Sequence, residues 1–164
     1  MIDFLNNHDG LCKDTSLGRF WIHDDELHPY AYLEVSPCNR GCEVLNGAMK
    51  CLVFRPIDKA LYSSADHCRC DALLRTSSMD QFYFVELKDW IASGWYKHGI
   101  EQLEATIEDF RQAHPGILEA AKYRSAYVVN IRKHKFVRTH IETMRNFVRK
   151  HHVLLRETQP IEIR

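Results

Sequence analysis

No apolar run in this 164-residue chain approaches the roughly 18–20 residues that a bilayer-spanning helix requires, which excludes such a helix. The opening Met1-Ile2-Asp3-Phe4-Leu5-Asn6 has neither a basic stretch nor a small-residue cleavage site. No secretory signal is therefore expected, and the expected compartment is the cytoplasm. There is no internal repeat and no low-complexity tract, so no repeat architecture needs to be considered. Net charge is lacking too, with 22 Lys/Arg against 22 Asp/Glu. At 45% hydrophobic and 27% charged residues the composition is that of an ordinary globular protein. The length suits one domain with a proper core, residues 1–164, and is short for two.

The zero net charge conceals a segregation. Residues 132–152 carry seven Lys/Arg (Arg132, Lys133, Lys135, Arg138, Arg145, Arg149, Lys150) against the single acid Glu142, whereas residues 1–131 are net acidic. A basic segment inside a neutral protein reads either as a phosphate-binding surface or as a solvated helix face.

The pattern of apolar residues predicts a strand over Tyr30–Val35 and then three more over Met49–Arg55, Cys70–Arg75 and Gln81–Lys88. Ile100, Leu103, Ile107 and Phe110 recur with helical spacing and predict a helix over Tyr96–Ala113, closed by His114-Pro115-Gly116. A strand over Ser125–Ile131, a helix over Thr139–His151 and a closing strand over Val153–Ile163 complete the reading. Residues 1–44 form an N-terminal extension whose first 30 residues are irregular, 45–131 a core, and 132–164 a basic C-terminal helix and strand. The order β-β-β-α-β-α predicts an α/β (α+β) fold, with an antiparallel meander entering a β-α-β crossover in one mixed sheet.

The chemistry concentrates at the end of one strand. In Tyr83-Phe84-Val85-Glu86-Leu87-Lys88, alternation puts Glu86 and Lys88 on the face of Phe82 and Phe84, and Tyr83, Val85 and Leu87 on the other. Charges that emerge from an apolar face are costly to bury and need a partner or a metal. Asp71, near the start of the preceding strand, supplies a second carboxylate. Magnesium takes hard oxygen ligands and commonly only one or two carboxylates from the protein. Asp71 and Glu86, with the Leu87 backbone carbonyl as a third oxygen, fit that habit. Lys88 would then orient water and offset negative charge. The competing reading is a cross-strand ion pair at a sheet end.

Asp71-x14-Glu86-x-Lys88 on consecutive strands, followed by an amphipathic helix, resembles the PD-(D/E)xK nuclease superfamily. The resemblance covers residues 45–131 and rests on Cys70-Asp71-Ala72-Leu73-Leu74, Tyr83–Lys88 and Ile100-Glu101-Gln102-Leu103, as in small bacterial and phage-borne members. It implies a restriction-endonuclease-like αβββαβ core and hydrolysis of nucleic acid, DNA first, with Mg²⁺ or Mn²⁺. Asp71 and Glu86 would be metal ligands, Lys88 the catalytic lysine and Gln102 a supporting polar residue. Arg132, Lys133, Lys135, Arg138, Arg145 and Arg149 would contact nucleic acid. Thr106 stands where relatives of one branch carry a tyrosine. The acid often supplied by a first helix has only Glu34 or Glu43 as counterparts, and Asp89 follows the lysine where many relatives carry glycine. A catalytically silent subunit of the same fold, serving a defence or immunity complex as a homodimer or with a partner, is the alternative.

Six cysteines without a signal read as reduced thiols or metal ligands. Cys38, Cys42, Cys68 and Cys70 would be a zinc set and hence the mark of an interaction module; otherwise they are small buried hydrophobes. His23-Asp24-Asp25-Glu26-x-His28 is either a metal loop or a solvated one. Trp90 and Trp95 either wall a cleft or lie buried.

Overall fold

A computed structural model describes residues 2–37, 40–62, 68–89, 93–132 and 140–164. Among the described residues ten strands form two sheets, accompanied by three helices. The larger has the order β1 (Lys13–Thr15), β5 (Leu52–Pro56), β6 (Ala72–Thr76), β7 (Gln81–Lys88), β8 (Tyr123–Asn130), β9 (Leu154–Arg156). Its first four strands run antiparallel to their neighbours, and β8 and β9 add in parallel. The parallel steps need crossovers, and α1 (Trp95–Ala113) and α3 (Ile141–His151) provide them. A short α2 (Ile117–Ala120) precedes β8. The smaller sheet has the order β10 (Ile161–Glu162), β4 (Cys42–Leu45), β2 (Arg19–His23), β3 (Tyr32–Glu34). The chain is thus a mixed α/β structure of the α+β class, with two mixed sheets and helices. Among the described residues no helix is long and apolar enough to cross a membrane.

Alternation along the central strands divides the core in two. Leu73, Phe82, Phe84, Ala126 and Val128 face the helices and pack with Ile100, Leu103, Ile107, Phe110 and Phe147. Ala72, Leu74, Tyr83, Val85, Tyr127 and Val129 face the smaller sheet and pack with Phe20, Ile22, Val44 and Ile161. All eight residues of β7 are buried, as expected of a strand covered on both faces. The β6–β7 turn is fixed by its own polar groups. Asp80 Oδ1 accepts the hydroxyls of Thr76 (2.6 Å) and Ser78 (2.8 Å), while Met79 takes a positive φ of 57°.

The β5–β6–β7 meander, α1, β8 and α3 stand where the apolar pattern puts them. β3 falls within the strand expected over Tyr30–Val35. The rest of the first 44 residues departs from the expectation: far from irregular, it supplies β1 to the edge of the large sheet and β2 and β4, beside β3, to a layer that covers its back. The expected closing strand is two strands in different sheets: β9 pairs with β8, and β10 with β4. Pro160, which cannot donate to a ladder, lies in the break. No helix precedes β5 among the described residues, so the first helix of an αβββαβ core has no counterpart there.

Candidate active site

Register places the two carboxylates. Ala72 pairs with Val85 across the antiparallel β6–β7 ladder, so the next pair outward is Asp71 opposite Glu86. Both lie on the helix-facing side. Directly opposed side chains in such a pair have Cβ atoms about 5 Å apart, and like charges there repel. Asp71 Oδ2 accepts the Leu87 backbone N–H at 2.6 Å, so the contact of Leu87 with the site runs through its amide. Lys88 Nζ lies 2.5 Å from Glu86 Oε1 and also donates to Gln102 Oε1. Gln102 in turn donates to the carbonyl of Arg69 at 3.0 Å, which ties α1 to the chain just before Asp71. Glu86 Oε2 is buried with no hydrogen-bond partner among the described residues.

Two residues not singled out for the site explain how α1 comes so close. A Cβ at Gly99 would stand 2.5 Å from Val128 Cγ2 and 3.4 Å from Glu86 Cγ, so only glycine lets the helix cross here. Thr106, one turn beyond Gln102, accepts the Cys70 amide at 2.8 Å and donates to the Gln102 carbonyl at 2.8 Å. The threonine in place of tyrosine thus fastens α1 beside the first residue of the motif.

Burial sets the electrostatics. Glu86 is 1% exposed and Asp71 5%. Burial pushes the Asp71 carboxyl up to about 8; the negative charge of Asp24 adds to this, and the Leu87 hydrogen bond and Lys88 oppose it. Glu86 is raised well above the carboxylate range, by burial first and by Asp71 next, with Lys88 opposing. Two adjacent carboxyls that resist ionisation, one with an unpartnered oxygen, form a donor set that a hard divalent cation would relieve. Among the described residues no three His, Cys, Asp or Glu side chains converge as a ready-made metal cage. A cation held here would have two protein carboxylates and would take its remaining oxygens from elsewhere.

Asp71, Glu86, Leu87, Lys88 and Gln102 open into a cleft of about 1010 Å³. Its walls come from the smaller sheet and its loops (Asp24, Glu34, Arg40) and from the segments that follow β5, β7 and β8 of the larger one (Asp58, Lys59, Asp89, Arg132). Asp24 is the acid that the sequence reading missed. It follows β2, in the loop read as either metal-binding or solvated, and its charge is felt by both Asp71 and Glu86. Its own carboxyl is raised by burial, with Lys59 opposing and Asp58 reinforcing. Of the two expected candidates, Glu34 lies in the cleft wall and Glu43 is turned to Arg19 at 2.5 Å. The run of three acids just after Arg19–His23 was the available signal. The rest of that loop is self-contained: Asp25 binds His28 Nδ1 (2.9 Å) and the Tyr32 hydroxyl (2.8 Å). Asp89 pairs with Arg132.

The basic segment divides. Arg132 lines the cleft; Lys133, Lys135 and Arg138 lie outside the described residues; Arg145 and Arg149 line a separate groove on α3; Lys150 pairs with Glu104 at 3.2 Å. The four-cysteine zinc set does not assemble. Cys42 belongs to the core between the sheets and Cys70 to the core under the helices, on opposite faces of the large sheet. Cys68 is exposed, with its Sγ 3.5 Å from His98 Nε2, and Cys38 lies outside the described residues. Trp95 is buried against Tyr96, and Trp90 lies outside the described residues. Set beside known protein families, curated proteins and solved structures, the chain matches none.

Proposed function

We propose that the protein is a divalent-metal-dependent nuclease of the PD-(D/E)xK kind, hydrolysing phosphodiester bonds of nucleic acid, with DNA as the first candidate. The observation that carries the reading is the opposed Asp71/Glu86 pair with Lys88 on the same face, at the floor of a cleft and beneath the crossover helix. The meander β5–β6–β7, the helix α1 and the parallel strand β8 supply the βββαβ part of a restriction-endonuclease-like core, which supports the finer fold assignment. Asp71 and Glu86 would hold Mg²⁺ or Mn²⁺. Such an ion, when bound, supplies positive charge for the phosphorane-like transition state and acidifies a water.

The chain's own groups do the rest. Lys88 Nζ, held between Glu86 and Gln102, is placed to orient the attacking water and to face the non-bridging oxygen that gains charge. Gln102 fixes that ammonium in turn. Attack forms a phosphorus–oxygen bond to the water oxygen, whose proton passes to solvent, and breaks the bond to one sugar oxygen, which leaves as an alkoxide and takes a proton from solvent. Arg40, Lys59 and Arg132 on the cleft walls suit the neighbouring phosphates.

A catalytically silent subunit of the same fold is the second reading. It is favoured by one feature, the pairing of Glu86 with Lys88 with no third donor converging among the described residues. Purified protein with Mg²⁺ or Mn²⁺ on plasmid, single-stranded DNA and RNA separates the two. Cleavage should vanish with EDTA and fall by about 10²–10⁴-fold in Lys88→Met and Glu86→Gln, each assayed below its own melting temperature and shown to be folded there by circular dichroism. Wild-type protein that neither cleaves nor binds Mn²⁺ would favour the silent subunit.

A further inference from the structure

The helix α3 and the strand β9 form a surface with no part in the cleft. Ile141, Met144 and Val148 recur at i, i+3 and i+7 along α3, and with Leu154 of β9 they floor a groove of about 500 Å³. Ile141 is 52% exposed and Leu154 37%, high values for large aliphatic side chains in so small a domain. β9 is the edge strand of the large sheet, and among the described residues no strand pairs with its outer side. Arg145, Arg149 and Arg156 stand around this floor, and among the described residues no acid shares the lining.

We infer that this groove docks an acidic amphipathic helix of a protein partner. A row of aliphatic residues at helical spacing is what the apolar face of such a helix meets in helix-in-groove recognition. The three arginines select glutamates or aspartates on its flanks and disfavour a basic one. A second copy of the chain is a poorer occupant, because a two-fold contact would set arginines against arginines. Nucleic acid is poorer too, since a phosphate backbone gains nothing from an aliphatic floor. The inference also accounts for the placement of Arg145 and Arg149 away from the cleft that Arg132 lines. It is independent of the nuclease reading.

The test uses the full chain and a fluorescent synthetic peptide of roughly 18 residues, with leucines at i, i+3, i+4 and i+7 and glutamates on both flanks. Anisotropy should show saturable binding that weakens with salt, and a lysine-for-glutamate version should bind at least about ten-fold more weakly. In Arg145→Glu/Arg149→Glu the preference should reverse, and Met144→Asp should abolish binding of both peptides. Arg145 and Arg149 are exposed, so the double variant should leave the melting temperature unchanged. Met144 is partly buried against the helix-side core, so Met144→Asp is paired with Ile141→Asp at an exposed position, which should abolish binding as well. The melting temperature of each variant is checked. Absence of saturable binding, or equal binding of the two peptides, overturns the inference. So does a dimer in sedimentation that Met144→Asp dissolves, or a ten-fold or greater loss of DNA binding in the double arginine variant.

Discussion

Strand β7 presents one face to the helices, but its two ends on that face differ. At one end Phe82 and Phe84 lie under Phe110, with ring centroids 5.5 and 5.7 Å away in edge-on contact, and Phe4 closes the stack at 5.4 Å. At the other end, two residues along, Glu86 and Lys88 lie equally buried under Gly99 and Gln102. The first end gains from every contact, because apolar area leaves water and the rings interlock. The second costs desolvation that a single ion pair and an amide only partly offset, and it leaves Glu86 Oε2 unpartnered among the described residues. One strand can carry both because the aromatic end, backed by the smaller sheet, supplies the stability that the charged end consumes.

The largest expected effect lies at the aromatic end. Phe84→Ala removes a ring touching Phe110 and leaves a cavity that the flanking strands cannot close, so it should cost about 3–5 kcal/mol. Urea unfolding measures it through the midpoint, and a loss below 1 kcal/mol would mean that this end does not anchor the strand. The charged end should respond with the opposite sign. Replacing the pair together, as Glu86→Leu with Lys88→Met, should stabilise the chain by about 1–4 kcal/mol while removing any cleavage. Removing Lys88 alone would leave Glu86 uncompensated, so the double variant is the informative one.

This contrast also marks what the sequence disclosed. The faces of β7 were legible because a strand alternates strictly, and Phe82, Phe84, Glu86 and Lys88 do lie together. The length of α1 was legible from four apolar residues and a Pro-Gly stop. Strands β1, β2 and β4 were not, because they are three to five residues long and half of their positions are polar or exposed. Nothing local distinguishes Arg19–His23 from a loop until Phe20 and Ile22 meet the back of the large sheet. Asp24 was hidden for the same reason, since its approach to Asp71 and Glu86 is a contact between layers. Gly99 needed the position of Val128, 29 residues on, and Gln102 was visible only through a family resemblance.

Gly99 tests how closely the charged end is covered. Alanine would favour the helix by about 1 kcal/mol, yet its Cβ would stand 2.5 Å from Val128 Cγ2, on a β-branched side chain with little rotamer freedom. The collision should win, with a net loss of about 1–2 kcal/mol. Adding Val128→Ala should recover part of that loss. If Gly99→Ala alone is stabilising, α1 does not press on the sheet as the geometry requires.

The most specific effect, and the smallest when read per pH unit, is in pH, and here two aspartates at opposite ends of the β6–β7 hairpin carry opposite signs. Asp80, in the turn, is held below its ordinary value by the hydroxyls of Thr76 and Ser78. Its contribution is present above the unfolded pKa and is lost as the solution becomes more acid. Asp71, at the open end, is pushed up to about 8 by burial and by Asp24. A raised carboxyl binds its proton more tightly in the folded chain, so its contribution is full below about pH 4 and is lost as the pH rises towards 8. Metal-free protein should therefore lose stability across that window, by no more than about 1.4 kcal/mol per pH unit for this one group. Asp71→Asn should flatten the slope, whereas Asp80→Asn should leave it and soften only the acid limb. Urea midpoints taken at each pH decide between them. Divalent cation should act in the same window, because binding requires the carboxylates that the apo chain keeps protonated, so Mn²⁺ affinity should climb from pH 6 to 8. An unchanged slope in Asp71→Asn would show that the charged end titrates through other groups.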